Sequence, residues 1–110
     1  LDFGEYQKLA RKTAFYPERY AVVYPALGLC GEAGEVAEKI KKHIRDGIDI
    51  DNTLNKLKEV LSRELGDVLW YISNLASDLD ISLNYIAKSN IDKLKDRKVR
   101  DKLKGSGDYR

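Results

Sequence analysis

Two short stretches carry acids in the same arrangement, GEAGEV (31–36) and ELGDV (64–68). Each sets two carboxylates three residues apart beside a glycine, Glu32 with Glu35 and Glu64 with Asp67. On a helix that spacing puts both side chains of a pair on one face. Other acids of the chain fit an ordinary solvated face: Glu38 is followed at four residues by Lys42, and Glu59 by Arg63, the favourable order for a helical ion pair. Glu32, Glu64 and Asp67 meet Val36, Val68 and Tyr71 at that step instead. Clustered carboxylates in such an apolar setting need a cation to offset their desolvation. A hard divalent ion fits best, because Mg²⁺ takes carboxylate oxygens and keeps waters for phosphate oxygens.

Two helices must position these acids. Helix two is expected from Ala26 to the Asp46–Gly47 stop, with Leu29, Ala33, Val36, Ala37, Ile40 and Ile44 on its stripe. Lys41, Lys42, His43 and Arg45 suit its last turns, and His43 reads as a partner of the helix dipole rather than a catalyst. Helix three is expected to start at Asn52 or Thr53, either of which can cap it. Its apolar residues, Leu57, Leu61, Leu65, Val68, Ile72, Leu75 and Leu79, recur at steps of three and four. The short loop between them, 47–52, favours an antiparallel pair. Glu35 lies eleven residues before Asp46 and Glu64 eleven after Thr53. At 1.5 Å per residue each motif stands ~16 Å from the loop, so the two should face each other.

The remaining elements complete an all-α antiparallel helical bundle. Helix one is expected over Asp2–Ala14, with Phe3, Tyr6, Leu9 and Ala10 on one side. FYPERYAVVYP (15–25) reads as an irregular connector between Pro17 and Pro25, since YAVVY has no partner strand. Asp80 and Ser82 mark a turn, and helix four follows with Leu83, Ile86, Ile91 and Leu94. Residues 1–104 form one domain, and GSGDYR (105–110) is a polar tail. Amphipathic helices of this length leave too much apolar surface for a lone chain, so the bundle is expected to be completed by oligomerisation. Gly34 and Gly66 each cost about 1 kcal/mol relative to Ala in a helix interior. Gly28, Gly31 and Gly34 together leave a slot where a helix or a ligand could approach.

A chain of 110 residues, 43% apolar and 35% charged, is one soluble globular domain. No stretch approaches the ~18–20 apolar residues of a membrane span, and the opening residues do not read as a basic-then-apolar secretory leader. The chain opens at Leu1 and lacks Met, so a missing start is expected. Cys30 is the single cysteine, which excludes an intrachain disulfide and a cysteine zinc site; it reads as a small buried residue in a reducing cytoplasm. Net charge is +2, but residues 88–104 carry eight bases against three acids, so a basic C-terminal arm opposes an acidic remainder. That balance alone does not imply nucleic acid.

E-x-x-E, a gap of 28 residues (36–63) and E-x-x-D together resemble the signature of the MazG-like all-α nucleoside triphosphate pyrophosphohydrolases. YQKLARKTAFYP, LGLCGEAGEVAEKIKK, ELGDVLWYISNLA and NIDKLKDRK…GSGDYR are similar to blocks of that family, in the same order, over nearly the whole chain. The resemblance implies hydrolysis of a nucleoside triphosphate to the monophosphate and pyrophosphate. It implies Mg²⁺, with Mn²⁺ as a substitute, held by Glu32, Glu35, Glu64 and Asp67. It also implies a homodimer or homotetramer with the site near a subunit interface. Asn90, Lys93 and Arg97 match the family's polar block on the last helix, which faces the substrate. Lys93 and Arg97, four apart, share a helix face and could clamp phosphates, while Trp70 or Tyr71 could stack on a base. Phe15, Tyr16, Tyr20 and Tyr24 are further candidates for a base platform. Glu32 or Glu35 would take the proton of the attacking water, and the sequence does not say which. Neither the base, the sugar nor an alarmone substrate is singled out.

Two other readings fit the residues less well. A di-iron bundle needs two Glu-x-x-His pairs, and the one histidine here belongs to none. A non-enzymatic helical dimerisation module, its basic arm touching nucleic-acid phosphates, leaves the four gathered acids without a purpose.

Overall fold

The computed structural model describes residues 1–47 and 50–104, the side chains of 50–53 and 102–104 excepted. Among these residues four helices follow one another, α1 (Phe3–Arg11), α2 (Val23–Arg45), α3 (Ile50–Asp78) and α4 (Leu83–Lys104), with a 3₁₀ turn at Glu18–Tyr20. No strand occurs among the described residues, and the fold is all-α. None of the helices is long and apolar enough to cross a membrane. The loop residues 48 and 49 and the polar tail 105–110 lie outside the described residues.

Local chemistry explains most helix ends. Asp2 caps α1, its Oδ1 accepting the Glu5 N–H at 2.8 Å, and α1 stops at Arg11 rather than Ala14. Gly47, at φ 71°, ends α2 as expected. Two boundaries differ from expectation. α2 starts at Val23, so Pro25 lies inside its first turn, where its missing N–H would have found no helical partner anyway. α3 starts at Ile50, ahead of both Asn52 and Thr53. At the other end of α3, Asp80 takes the left-handed conformation (φ 58°). The Ile81 N–H donates to the Ala76 carbonyl and the Asp80 N–H to that of Ser77, a Schellman stop. Ser82 then caps α4 through the Tyr85 N–H.

The main pairing is the α2–α3 hairpin, with α1 laid across α3 and in contact with the start of α4. Gln7 of α1 fixes the turn before α4. Its amide nitrogen donates to Ser77 Oγ (3.1 Å) and to the Ile81 carbonyl (3.0 Å), and its amide oxygen accepts the Leu83 N–H (2.8 Å). Among the described residues the buried apolar set is small: Ala10, Pro25, Leu57, Ala76 and Leu83. Leu65 and Leu79 of the α3 stripe are exposed, as are Leu27 and Ile44 of α2. Cys30, expected to be buried, is exposed, because none of the described residues covers its face of α2. The radius of gyration is 17.6 Å, against about 13 Å for a compact chain of ~100 residues. The excess comes from an open arrangement of long helices.

A second, polar centre holds the N-terminal segment to the hairpin. The Asp78 side chain, 1% exposed, receives Arg11 on Oδ1 at 2.8 Å. Its Oδ2 accepts the Tyr16 hydroxyl (2.7 Å) and the Val22 N–H (2.8 Å). Arg11 also donates to Tyr16 (2.9 Å) and to the buried Asn74 (3.2 Å). Val22 itself has φ 70° and ψ −53°, and the Val23 N–H bonds back to the Ala21 carbonyl at 2.8 Å. That is a γ-turn of the rare, strained hand, at a β-branched residue, and the bond to Asp78 holds it in place.

Candidate metal centre

Glu32 stands near the middle of α2 and Glu64 near the middle of α3. Because the two helices pair antiparallel around a short connection, these midpoints meet. Oxygens of Glu32, Glu64 and Asp67 all lie within 4.8 Å of one another. Glu32 and Glu64 are half-buried, and Asp67 is exposed. Burial first, then a hydrogen bond with Glu64 and the charges of Asp67, Glu64 and Glu35, push the Glu32 carboxyl above the ordinary carboxylate range. The strongest charges acting on it are thus all of its own sign.

Aromatic residues form the surroundings. Tyr71, one turn beyond Asp67, carries a hydroxyl pushed upward by burial and then by Tyr24, Glu32 and Asp67. Burial and then Asp67 do the same to Tyr6. Tyr16 and Tyr24 stack with ring centres 4.8 Å apart, Tyr24 tilts onto Tyr71 at 6.5 Å, and Trp70 meets Tyr71 edge-on at 5.0 Å. The Trp70 indole N–H donates to Thr13 Oγ1 at 2.7 Å, which ties that ring to the end of α1.

The donor set suits a divalent cation: three carboxylates, mutually close, from two rigid helices, and open on the Asp67 side. Glu35 is exposed and outside the triplet, though its charge still acts on Glu32. It is also the one motif acid with a lysine, Lys39, four residues on. Asn90, Lys93 and Arg97 lie on α4, whose main packing is against α1 rather than the acid-bearing hairpin. His43 Nδ1 is 3.0 Å from the Lys39 carbonyl of its own helix, an engagement in keeping with a local role. A cavity of about 770 Å³ lies elsewhere, lined by Gln7, Lys8, Arg11, Lys12, Ser77 and Asn84 among others, and includes none of the four motif acids.

The family model of the MazG nucleotide pyrophosphohydrolase domain matches residues 25–100, which hold both acidic motifs. The chain belongs to this family. It is also 41% identical over 111 residues to the Gene 37 protein of Mycobacterium phage L5, with 96% of each chain covered. No solved structure gives a significant match. The MazG match begins at Pro25 and so leaves out α1 and the connector. Sequence reading missed what those segments do here, namely the Arg11–Tyr16–Asp78 centre. A buried Asp at a helix end has no periodic signal, and its partners lie some sixty residues away.

Proposed function

We propose that this chain is a Mg²⁺-dependent nucleoside triphosphate pyrophosphohydrolase that cleaves a (d)NTP to the monophosphate and pyrophosphate. The observation that carries the reading is the Glu32–Glu64–Asp67 triplet, three carboxylates gathered from facing helices in a chain of the MazG nucleotide pyrophosphohydrolase family. Glu32, Glu64 and Asp67 would hold the ion, with Glu35 joining at the rim. A divalent ion there supplies charge neutralisation for a polyphosphate and acidifies water.

The chain's own groups do the rest. The half-buried setting of Glu32 and Glu64 limits water around the reacting phosphate and strengthens each charge contact. Glu35, exposed and one turn from Glu32, is free to take the proton of a water attacking the α-phosphorus as pyrophosphate leaves. Tyr24 and Tyr71 offer apolar ring faces at the rim of the acids, where a base could stack. Trp70 is engaged with Thr13 and Tyr71, so in the substrate site it would act by fixing the Tyr71 ring. Lys93 and Arg97 would meet the phosphates and Asn90 the nucleotide. Helical faces left exposed along α2, α3 and α4 support assembly as a homodimer or homotetramer. The role fitting this chemistry is balancing or cleaning a nucleotide pool.

The test is a panel of dNTPs and NTPs incubated with Mg²⁺ or Mn²⁺, with products separated by ion exchange. Monophosphate and pyrophosphate in equal amounts are expected. Orthophosphate as the first product, or no turnover of any nucleotide, would remove the reading.

A further inference from the structure

The cavity of about 770 Å³ is no part of the acidic site. Its walls come from three elements: Gly4, Lys8 and Lys12 of α1, Ser77 near the end of α3, and Ser82 with Asn84 at the start of α4. Ser77 lies ten residues beyond Asp67, ~15 Å along α3, so the cavity is separate from the triplet. Among the described residues no carboxylate lines it, and Asp80 belongs to the adjoining hollow. Its size falls in the range of small-molecule sites, roughly 300–1,000 Å³.

The charge around this cavity is unbalanced. Lys8, Arg11 and Lys12 fall within a ~100° arc of α1. Arg11 is held by Asp78. Lys8 and Lys12 form no ion pair among the described residues, and like charges four apart on a helix repel. Elsewhere Lys41, Arg63 and Lys88 pair with acids of their own helices. The dipole at the C-terminal end of α1 favours cations there. It does not account for the donors that α4 brings to the same cavity. Of the first N–H groups of α4, Leu83 donates to Gln7, Tyr85 to the Ser82 hydroxyl and Ile86 to the Ser82 carbonyl. The Asn84 N–H is left without a partner among the described residues. Gly4 leaves the Asn84 side chain its room, since a Cβ there would stand 3.0 Å from Nδ2.

We propose that this cavity binds a small phosphomonoester at a site separate from the acids. Lys8 and Lys12 take up the charge of the phosphate, and the Asn84 N–H at the positive end of α4 supplies a directed donor. A phosphomonoester carries about two negative charges at neutral pH, which matches two unpaired lysines. A lone carboxylate would leave one of them uncompensated. The volume leaves space for an organic body the size of a nucleoside beside the phosphate. Because the walls belong to α1, α3 and α4, the ligand fits only while α1 is docked, and so it fastens the N-terminal segment to the turn before α4. The inference stands whether or not the triplet is catalytic.

Calorimetric titration of the full chain tests it. The buffer holds a chelator and no divalent ion, so that the bare acids repel anions. The probes are adenosine 5′-monophosphate, inorganic phosphate and adenosine. The monophosphate should saturate a site, phosphate should compete for it, and adenosine should not bind. Lys8→Gln with Lys12→Gln should weaken the monophosphate by about tenfold or more, the effect of losing charge-assisted phosphate contacts. Both lysines are exposed, so the fold should survive the change. Lys8→Arg with Lys12→Arg should keep the affinity, and Lys93→Ala with Arg97→Ala should leave it unaltered. Amide exchange should show α1 gaining protection as the monophosphate is added. Absence of saturable binding by both monophosphate and phosphate overturns the proposal. So does adenosine binding as tightly as its monophosphate, or an affinity that survives the glutamine pair but falls with the Lys93 and Arg97 pair. Unchanged exchange in α1 at saturation would place the ligand elsewhere and overturn it as well.

Discussion

At the scale of the residue, the three gathered carboxylates are in tension without a cation. Replacing Asp67 by Asn should therefore have opposite effects on stability and on turnover. Two unit charges 4 Å apart in water repel by about 1 kcal/mol, so the metal-free variant should gain up to that much stability. It should also lose activity by more than the roughly 10–100-fold typical of a ligand's outer partner. Thermal unfolding with chelator and with Mg²⁺ separates the effects. Saturating metal stabilises a site by about 2.7 kcal/mol at a hundred times Kd, and that shift should be present in the native chain and absent in Asp67→Asn. Glu35→Gln should behave differently. If Glu35 is the base and only a rim ligand, the variant keeps most of the metal shift and loses kcat, with KM little changed. Retention of full turnover would exclude Glu35 from the chemistry. The i, i+3 spacing marked all four acids as candidates in the sequence, and the missing cation at i+4 marked Glu32, Glu64 and Asp67, because both are local signals. That Glu35 stands apart was legible only in retrospect, from Lys39.

At the scale of the element, the glycines separate into two groups. A Cβ on Gly28 would lie 2.1 Å from the Tyr71 ring, so this glycine lets α3 press its aromatic residue onto the α2 backbone. Gly31, Gly34 and Gly66 would meet nothing within 4 Å. Gly28→Ala should thus destabilise the hairpin by about 1–3 kcal/mol, as overpacking does. Gly34→Ala should raise helix stability by up to about 1 kcal/mol. Urea denaturation checks both, and a stabilised Gly34→Ala chain with lost turnover would show that substrate or a second copy uses the open space. Asp80, held at φ 58°, should gain about 0.5–1 kcal/mol on replacement by Gly, which adopts that conformation freely. The sequence displayed Gly47, the Asp80–Ser82 turn and the stripe of α3, all set by neighbours in the chain. It did not display the start of α2, because a proline read as a boundary is equally at home in a first turn.

At the scale of the whole molecule, Asp78 joins the N-terminal segment, which the MazG match leaves out, to the hairpin that carries the acids. Through Val22 it also fixes where α2 begins, and so how far along that helix Glu32 stands. None of this could be read from spacing, since the groups meet only after the chain has folded. Burial alone would raise the Asp78 carboxyl, but the Val22 N–H, the Tyr16 hydroxyl and Arg11 outweigh it and hold it below its ordinary value. Arg11 keeps its charge through the acid range, and the Tyr16 hydroxyl, pushed up, stays protonated. Protonation of Asp78 is then the event that weakens this centre in acid. With a folded-state value below the unfolded one, the stabilisation is complete above about pH 3.9 and drains as pH falls through the folded value. Asp78→Asn should cost about 1.5–3 kcal/mol at neutral pH, the range for hydrogen bonds to a charged group. Its urea midpoint should fall less steeply than that of the native chain as pH is stepped down below about 3.9. Amide exchange should show α1 and the connector losing protection before the α2–α3 hairpin does. Parallel acid limbs for the two proteins would mean that Asp78 is not what holds the N-terminal segment in place.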